Sequence, residues 1–245
     1  MEEIKKEIEY PEKAGVRSMF NNIAPTYDLL NHLLSGGIDK RWRKALVKEL
    51  EFLKADSSAQ ILDVATGTAD LSILTAKTIQ VPVTGIDISE KMLQIGAEKI
   101  RRAGLSGMIN LIPGDSENIP FPASSFNAVI MAFGIRNFED RQKSFVEFMR
   151  VMKPGAVLLI LEFGMPEKGF IKWFYTCYFK YFLPFAGGII SGSRKAYRYL
   201  NRSVTAFPYG ENFVNEISVA GFTRMAFFQL SGGIAYLYKA VKPII

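Results

Sequence analysis

One short stretch, residues 61–70, constrains the fold of this chain more than any other. The apolar run at residues 61–64 predicts a short buried strand, and helical periodicity begins at Asp70. Between them lie only Ala, Thr and Gly, which let the backbone approach a ligand closely, and Gly67 can also adopt a positive φ. A strand, a small-residue loop and a helix are typical of α/β proteins that bind a ligand through backbone N–H groups, although an ordinary turn has the same composition.

An acidic residue downstream indicates the class of ligand. Residues 82–87 predict a second strand that ends in Asp87, twenty residues past Gly67. At this offset a carboxylate can accept hydrogen bonds from the ribose hydroxyls of a bound nucleoside. The succession of strand, loop, helix, strand and acid therefore predicts a cofactor that contains a nucleoside.

Strands and helices alternate through most of the chain, which predicts an α/β fold. We expect a doubly wound, mostly parallel sheet of seven strands, with ligand sites at the carboxyl ends of the strands. The last two strands flank a Ser-Gly-Gly turn and predict a hairpin. The predicted strands cover residues 60–65, 82–87, 108–112, 127–133, 156–163, 224–230 and 234–241. The predicted helices cover residues 16–31 (interrupted near Pro25), 38–53, 69–78, 89–103, 139–151, 193–206 and 211–220.

Two segments stand outside this alternation. Residues 1–55 predict an N-terminal helical cap element that begins with a charged, frayed arm at residues 1–16, whereas residues 56–245 form the ligand-binding part of a single domain. Residues 165–210 predict a helical insertion, whose first helix carries a stripe of aromatic residues beside a row of Lys. This insertion is a lid over an apolar substrate, a membrane-facing surface, or an ordinary helix pair packed on the sheet.

Composition excludes several classes of function. The formal net charge is +6, but Lys and Arg are dispersed and match no nucleic-acid-reading module, so we expect no nucleic acid partner. An anionic membrane face or a solvated surface is compatible with this charge. One Cys and one His exclude a disulfide framework and a site with several Cys or His ligands, and we expect no metal. The N-terminus lacks a secretory pattern and no apolar run is long enough for a membrane span, which predicts a cytoplasmic protein.

Two nucleoside cofactors compete for the loop. A dinucleotide requires G-x-G-x-x-G so that the backbone can reach a pyrophosphate, and here the three positions hold Ala65, Gly67 and Asp70. S-adenosylmethionine carries no phosphate but has a cationic ammonium and sulfonium, which the carboxylates of Asp63 and Asp70 favour, while loop N–H groups can bind its carboxylate. The acids therefore favour S-adenosylmethionine, with Asp63 and Gly67 as candidate contacts.

Further candidate contacts follow the third predicted strand. Asp115 can accept a hydrogen bond from an adenine amino group, and the backbone N–H of Ser116 can donate to an adenine ring nitrogen. The alternative for Asp115 is a simple turn residue after Gly114. Asp87 upstream makes the nucleoside interpretation the stronger of the two.

Longer motifs resemble a known family. The chain resembles class I S-adenosylmethionine-dependent methyltransferases in the runs Asp63…Gly67-Thr68, Asp87-Ile88-Ser89 and Gly114-Asp115-Ser116-Glu117. Over about residues 17–242 it is similar to the ubiquinone/menaquinone biosynthesis C-methyltransferases in the runs Tyr27-Asp28, Phe133-Gly134-Ile135-Arg136-Asn137 and Arg150-Val151-Met152-Lys153-Pro154-Gly155. The resemblance implies a Rossmann-like fold and S-adenosylmethionine contacts at Thr68, Asp87, Asp115 and Ser116.

The resemblance also implies a reaction. It implies methylation of a ring carbon of a prenylated quinol, most directly 2-demethylmenaquinol to menaquinol in menaquinone biosynthesis. The alternatives are the benzoquinol intermediate of ubiquinone, another lipophilic acceptor, or a non-catalytic S-adenosylmethionine-binding subunit. A nicotinamide oxidoreductase is disfavoured by Asp70.

Candidate catalytic residues lie in two places. Arg136 and Asn137 end the fourth predicted strand, beside the expected position of the methyl group. We expect Arg136 to stabilise the phenolate that forms when the quinol loses a proton, and Asn137 to orient it. Tyr27 or Asp28 would close over the site, and His32 is a further candidate base. The alternative for Arg136 is a surface ion pair with the acids that follow it in the chain.

The implied substrate predicts a partner. A polyprenyl tail is insoluble in water, so we expect peripheral membrane contact through about residues 170–190 and nearby Lys and Arg, at the inner face of the cell membrane. The sequence leaves the oligomeric state open, with a homodimer among the options.

Four residues depart from the family pattern. Ala69 stands where the loop often has another Gly, and Asp39 stands where a His is expected. Ala156 and Gly164 replace an expected Gly and Ser around the fifth strand. Asp39 therefore rules out a role for histidine at that position.

Overall fold

The computed structural model describes residues 12–54, 56–166 and 194–244, and a seven-stranded sheet forms the centre of this part of the chain. The strands are β1 Ile61–Val64, β2 Val83–Asp87, β3 Ile109–Pro113, β4 Phe126–Ala132, β5 Met152–Phe163, β6 Thr223–Leu230 and β7 Ala235–Val241. They lie in the order β3-β2-β1-β4-β5-β7-β6. Strands β1 to β5 are parallel, and β7 runs antiparallel to β5 and β6. The predicted fold class and the C-terminal hairpin are confirmed.

Helices cover both faces of this sheet. They are α1 Lys13–Leu34, α2 Ile38–Lys48, α3 Asp70–Ile79, α4 Glu90–Arg102, α5 Arg141–Val151, α6 Arg194–Ala206 and α7 Glu211–Val219, with short 3-10 turns at Glu51–Leu53 and Ile135–Asn137. Side-chain caps begin two of them. Ser89 accepts a hydrogen bond from the N–H of Met92 at 3.3 Å, and Asp140 accepts one from the N–H of Lys143 at 3.0 Å. Each such cap stabilises its helix by about 1 kcal/mol.

Strand β5 shows why the sheet is central. Successive strand residues point to opposite faces, so Leu159 and Leu161 pack against α2 and α3, while Leu158 and Ile160 pack against α5 and α7. All four side chains are buried. Burial of each contributes about 1.5–3 kcal/mol relative to exposure in water. The continuous apolar run of this segment is therefore explained by a strand that is covered on both faces.

The sheet order reverses between β1 and β4. These strands are parallel neighbours, with Ile61 opposite Ala128, but β1 leads to α3 on one face and β4 leads to α5 on the other. The two connections part at the carboxyl ends of the strands and leave a crevice there. In open α/β sheets this is where ligands bind.

Helix α1 differs from its prediction. The helix begins at Lys13, so the prediction of a frayed arm is wrong for residues 13–16. It also continues through Pro25, where the sequence predicts an interruption. Contacts on both sides of this proline hold the helix: Asn21 accepts a hydrogen bond from the Ser89 hydroxyl, and Asp28 pairs with a lysine of α4. These tertiary contacts offset the backbone hydrogen bond that proline removes.

Other boundaries differ by a few residues. The helix predicted to residue 53 ends at Lys48 and is followed by the 3-10 turn. Strand β5 begins at Met152, ahead of the predicted residue 156, because Met152 pairs with Phe126 before an irregularity in the ladder. The arm predicted at residues 1–11 and the aromatic helix predicted around residues 170–182 lie outside the described residues.

We predict that Gly164→Ala destabilises the fold. A Cβ at Gly164 would lie 2.3 Å from the ring of Tyr236, which is fully buried and cannot move aside. Overpacking of this kind costs about 1–3 kcal/mol, measurable by urea unfolding. Gly107→Ala is the control, because an added Cβ there meets no atom within 4 Å. Equal stability of the two variants would contradict the close packing of Gly164 on Tyr236.

Candidate functional site

A cavity opens at the carboxyl ends of β1, β2 and β4, with about 740 Å³ of space including the solvent at its mouth, and α1 lies across it. Its lining comprises Lys13, Val16, Phe20 and Tyr27 of α1, Val64, Ala65 and Gly67 at the end of β1, Asp87, Ile88 and Met92 at the end of β2, residues 114–117 after β3, and residues 132–134 and 137–139 at the end of β4. Four carboxylates and a single cation are among these groups. The cavity lies at the point where the strand order reverses. Because its lining holds more carboxylates than cations, it favours a cationic ligand over a phosphate.

The loop after β1 has an unusual backbone. Ala65, Gly67 and Ala69 have φ values of 54°, 57° and 66°, all in the left-handed region that favours glycine. Two of the three are not glycine, so the loop stores strain of about 1 kcal/mol or more at each of them. Ala69 occupies the position where the family pattern often has Gly, and its conformation explains that preference. Other contacts must hold this loop in place.

Asp63 provides those contacts from beneath the loop. Its Oδ2 accepts hydrogen bonds from the hydroxyls of Thr66 at 2.7 Å and Ser72 at 2.6 Å, so it ties the loop to the first turn of α3. The side chain is only 1% exposed, and this burial raises the pKa of Asp63 to about 6, although the two hydroxyls oppose the shift. Asp63 is absent from the cavity lining, so its direct contact with a ligand stays a prediction.

Asp87 joins the loop to the end of β2. Its Oδ2 accepts from the backbone N–H of Gly67 at 2.8 Å, and its Oδ1 accepts from the N–H of Ser89 at 2.8 Å. Burial raises the pKa of Asp87 to about 6 despite these hydrogen bonds. The carboxylate faces the cavity and retains lone pairs for further donors. The Gly67 N–H is thus engaged by Asp87, not free for a ligand as the sequence suggests.

Asp115 and Ser116 lie across the cavity from this loop. The Asp115 Oδ1 accepts from the backbone N–H of Glu117 at 2.9 Å, and its Oδ2 pairs with the Lys13 ammonium of α1 at 2.8 Å. The Ser116 hydroxyl lies 3.1 Å from that of Ser144 on α5, so its side chain is anchored away from the cavity. Both residues line the cavity, as the adenine hypothesis requires.

Thr68 and Asp70 face the helices and are absent from the cavity lining. The Thr68 hydroxyl donates to Asp28 of α1 at 2.5 Å, and Lys99 of α4 donates to Thr68, Asp28 and Asp70. Asp70 is thus paired with Lys99, and Arg43 Nη2 lies 3.9 Å from its Oδ2, so its contact with a cationic ligand stays a prediction. This cluster fastens α1 to the loop and to α4.

Arg136 is buried behind the cavity wall. It is 5% exposed and pairs with the fully buried Glu162, with Nη1 2.7 Å from Oε1, so the surface ion pair with Glu139 or Asp140 is wrong. The same Nη1 donates to the carbonyl oxygen of Phe133 at 2.5 Å. Its Nε is buried and has no hydrogen-bond partner among the described residues. The Nε–H donor of Arg136 is therefore not used by its ion pair.

Phe133 forms the cavity wall beside this ion pair, and two further aromatic rings pack against it. Phe133 has φ 62°, an outlier for a bulky residue, and it stacks on Phe163 at 4.4 Å between ring centroids. Trp42 packs against both rings at 6.2 and 6.1 Å. A strained backbone at a cavity persists only when its surroundings fix it, and here the Arg136 guanidinium and the backbone of Leu161 do so.

The sequence interpretation assigned no role to two residues of this region. Glu162 is a lone acid in an apolar strand, a signal that it requires a buried partner. Tyr199 of α6 donates its hydroxyl to Asn137 Oδ1 at 3.0 Å, and nothing in the sequence pattern marks it. Tyr27 and Asn137 both line the cavity, as predicted, whereas the side chain of His32 lies outside the described residues.

The family model and the similar relatives indicate the same family. The model of the ubiE/COQ5 methyltransferase family matches residues 6–242. A demethylmenaquinone methyltransferase of Bacteroides fragilis is 44% identical over 228 residues, which are 93% of this chain and 92% of that protein. The ubiquinone/menaquinone biosynthesis C-methyltransferase UbiE of Syntrophotalea carbinolica is 42% identical over 237 residues, 96% of this chain and 98% of that protein.

Solved structures share the fold at low sequence identity. The [4+2]-cyclase SpnF has a TM-score of 0.72 at 17% identity and covers 96% of this chain and 98% of its own. A SAM dependent methyltransferase from Aquifex aeolicus has a TM-score of 0.56 at 22% identity and covers 80% of this chain and 88% of its own. Because one neighbour is a cyclase, the fold does not determine the reaction and the residues of the site must.

We predict that Asp63→Asn flattens the pH dependence of stability. The raised pKa of Asp63, about 6 against an ordinary 3.8, means that the folded protein holds this proton to higher pH than the unfolded chain. Its stabilising contribution is full below the unfolded pKa and is lost as pH rises through 6. The free energy of unfolding of the unaltered protein, relative to Asp63→Asn, should therefore fall by about 1 kcal/mol between pH 5 and pH 7.

Urea unfolding at both pH values measures this difference. The control is Asp56→Asn, since Asp56 is exposed and its pKa is lowered by hydrogen bonds from Ser58. A constant difference between the unaltered protein and Asp63→Asn would mean that Asp63 does not titrate in this range.

Proposed function

The chain belongs to the ubiE/COQ5 methyltransferase family, and from this premise we propose that it transfers a methyl group from S-adenosylmethionine to a ring carbon of 2-demethylmenaquinol. One observation carries the proposal: the cavity has a carboxylate wall at Asp87 and Asp115 and a wall of neutral donors at Tyr27 and Asn137. The first wall fits a nucleoside with a cationic group. The second fits the oxygen of a phenolic acceptor.

The donor set of the first wall matches an adenosine group without phosphates. Asp87 can accept from ribose hydroxyls, Asp115 from the adenine amino group, and the Ser116 N–H can donate to the ring. Ile88 and Met92 supply apolar surface nearby. Asp63 and Thr68 act from outside the cavity, because their side chains hold the loop and α1 in place. When bound there, S-adenosylmethionine supplies an electrophilic methyl group.

The second wall can make the ring carbon of the quinol, a weak nucleophile, more reactive. A ring carbon becomes reactive when the adjacent hydroxyl loses its proton, because the phenolate oxygen pushes electron density into the ring. The Tyr27 hydroxyl and the Asn137 amide can donate hydrogen bonds to this oxygen, which favours the charged form and lowers its pKa. Donors fixed in advance at the site of developing charge are the main source of such stabilisation.

Arg136 supports the same oxygen from behind. Its charge is already balanced by Glu162, so the pair adds no net charge to the cavity. The unpartnered Nε–H is buried behind the cavity wall and can reach the acceptor oxygen through a bridging water. The Phe163 ring covers the guanidinium, and Phe133, which stacks on Phe163, lines the cavity and offers an apolar surface to a quinol ring.

The apolar tail of the substrate requires a route from the membrane. We retain the proposal that residues 170–190 meet the membrane at its inner face, with the chain otherwise in the cytoplasm and the N-terminal helices acting as a cap over the cofactor. Helix α1 fits the cap, because it lies across the cavity and reaches Asp115 through Lys13. In the parts of the chain that the structure describes, no helix combines the length and hydrophobicity that crossing a bilayer requires.

A methyl-transfer assay tests the proposed function. The purified chain is incubated with methyl-labelled S-adenosylmethionine and a reduced demethylmenaquinone that carries a short prenyl tail. We expect label in menaquinol, and little or none with a benzoquinol intermediate or a sterol. Label in a different acceptor would replace the substrate, whereas binding of S-adenosylhomocysteine without transfer to any of them would favour a non-catalytic subunit.

We predict that Arg136→Lys lowers turnover and leaves the fold intact. Lysine preserves a cation for Glu162 but removes the Nε–H donor, so kcat should fall about tenfold or more. Arg141→Lys is the matched control, because Arg141 pairs with Glu216 through two nitrogens and lies away from the cavity. Equal kcat values in the two variants would remove Arg136 from the mechanism.

A further inference from the structure

Tyr199 connects helix α6 to the acceptor wall of the cavity. Helix α6 packs against the 3-10 turn Ile135–Asn137 that ends in this wall. The half-buried Tyr199 hydroxyl donates to Asn137 Oδ1 at 3.0 Å, and Asn137 in turn lines the cavity. The contact joins positions 62 residues apart, so only the fold brings them together.

The direction of this hydrogen bond has a physical cause. A tyrosine hydroxyl can donate or accept, and an asparagine amide offers one acceptor oxygen and one nitrogen with two donors. The atom of Asn137 that faces the Tyr199 hydroxyl is Oδ1, at 3.0 Å. An amide oxygen carries no hydrogen, so the hydroxyl is the donor and Oδ1 the acceptor.

The orientation of the amide follows. With Oδ1 held by Tyr199, the Nδ2 donors of Asn137 are left for the cavity. We propose that Tyr199 is a positioning residue that keeps the Asn137 amide nitrogen directed at the acceptor oxygen. This role rests on the proposed function, since it requires an acceptor whose oxygen becomes negatively charged.

The orientation of the Asn137 amide matters for the phenolate and not for the neutral quinol. A neutral quinol hydroxyl can donate to Oδ1 or accept from Nδ2, so either orientation of the amide binds the substrate. A phenolate can only accept, and Oδ1 would repel it. Loss of the Tyr199 hydroxyl frees the amide to turn over, which weakens stabilisation of the phenolate and leaves ground-state binding unchanged. We therefore expect kcat and its pH dependence to change and KM to stay the same.

The test compares Tyr199→Phe with the unaltered protein in the quinol methylation assay. We expect kcat to fall about ten- to hundredfold, the loss typical of a hydrogen bond to a charged group. The KM for the quinol and the affinity for S-adenosylhomocysteine should stay within about twofold, and the acidic limb of the kcat profile should move to higher pH because phenolate formation becomes harder. A merely structural defect would not move that limb.

Tyr238→Phe is the matched control. Its buried hydroxyl accepts a hydrogen bond from the N–H of Gly210 at 2.9 Å, and it is absent from the cavity lining. This variant also loses one tyrosine hydroxyl, so we expect a lower melting temperature with kcat and its pH profile unchanged. The melting temperature of Tyr199→Phe shows at the same time whether that variant is folded.

A double-mutant cycle with Asn137→Ala tests whether Tyr199 acts through Asn137. We expect the double variant to be no slower than Asn137→Ala alone, because the two residues act as one unit. Normal kcat in Tyr199→Phe, or effects that multiply in the double variant, would overturn the role of Tyr199. Absence of quinol methylation by the unaltered chain would instead contradict the proposed function itself.

Discussion

The site depends on the strained loop after β1, and the buried carboxylate of Asp63 holds this loop in place. Its hydrogen bonds to Thr66 and Ser72 fix a loop whose backbone is repeatedly left-handed, and Asp87 secures the same loop from the next strand through the Gly67 N–H. Burial disfavours the charged form of both acids and raises each pKa to about 6. Stability at neutral pH is thus reduced in order to hold a strained loop and a carboxylate at the cavity, a pattern expected of functional sites.

The cavity has two ends with different chemistry. Asp87, Asp115 and Glu117 line the end at β2 and β3. Phe133, Asn137 and Glu139 line the end at β4, with the Arg136–Glu162 ion pair buried behind it. The cyclase SpnF shares the fold at a TM-score of 0.72, so the sheet alone does not decide which reaction takes place. In the proposed reaction Tyr27 and Asn137 supply the donors that stabilise negative charge on an acceptor oxygen, and the buried Arg136–Glu162 pair adds no net charge behind them.

The sequence predicts the first end of the site better than the second. Asp87 is recognisable because its role depends on a strand, a loop and a fixed offset, all of which are local. The partner of Arg136 is not, because Glu162 lies 26 residues away and meets it only through the pairing of β4 with β5. Tyr199 is more remote from Asn137 in the chain, and its helix shows only ordinary amphipathic periodicity. The alternation of strands and helices predicts the sheet for the same reason that it predicts Asp87: hydrophobic periodicity is local, whereas side-chain pairing is tertiary.

The most direct test of the nucleoside wall is calorimetric titration of S-adenosylhomocysteine into the unaltered protein and into Asp87→Asn. We expect binding to weaken about ten- to hundredfold in Asp87→Asn, because an amide cannot replace the carboxylate as acceptor for ribose hydroxyls. Asp56→Asn is the control: this exposed carboxylate also accepts from the backbone N–H two residues later, at 2.9 Å, but lies away from the cavity. Unchanged affinity in Asp87→Asn, with Asp56→Asn also unchanged, would contradict the assignment of this wall to the ribose.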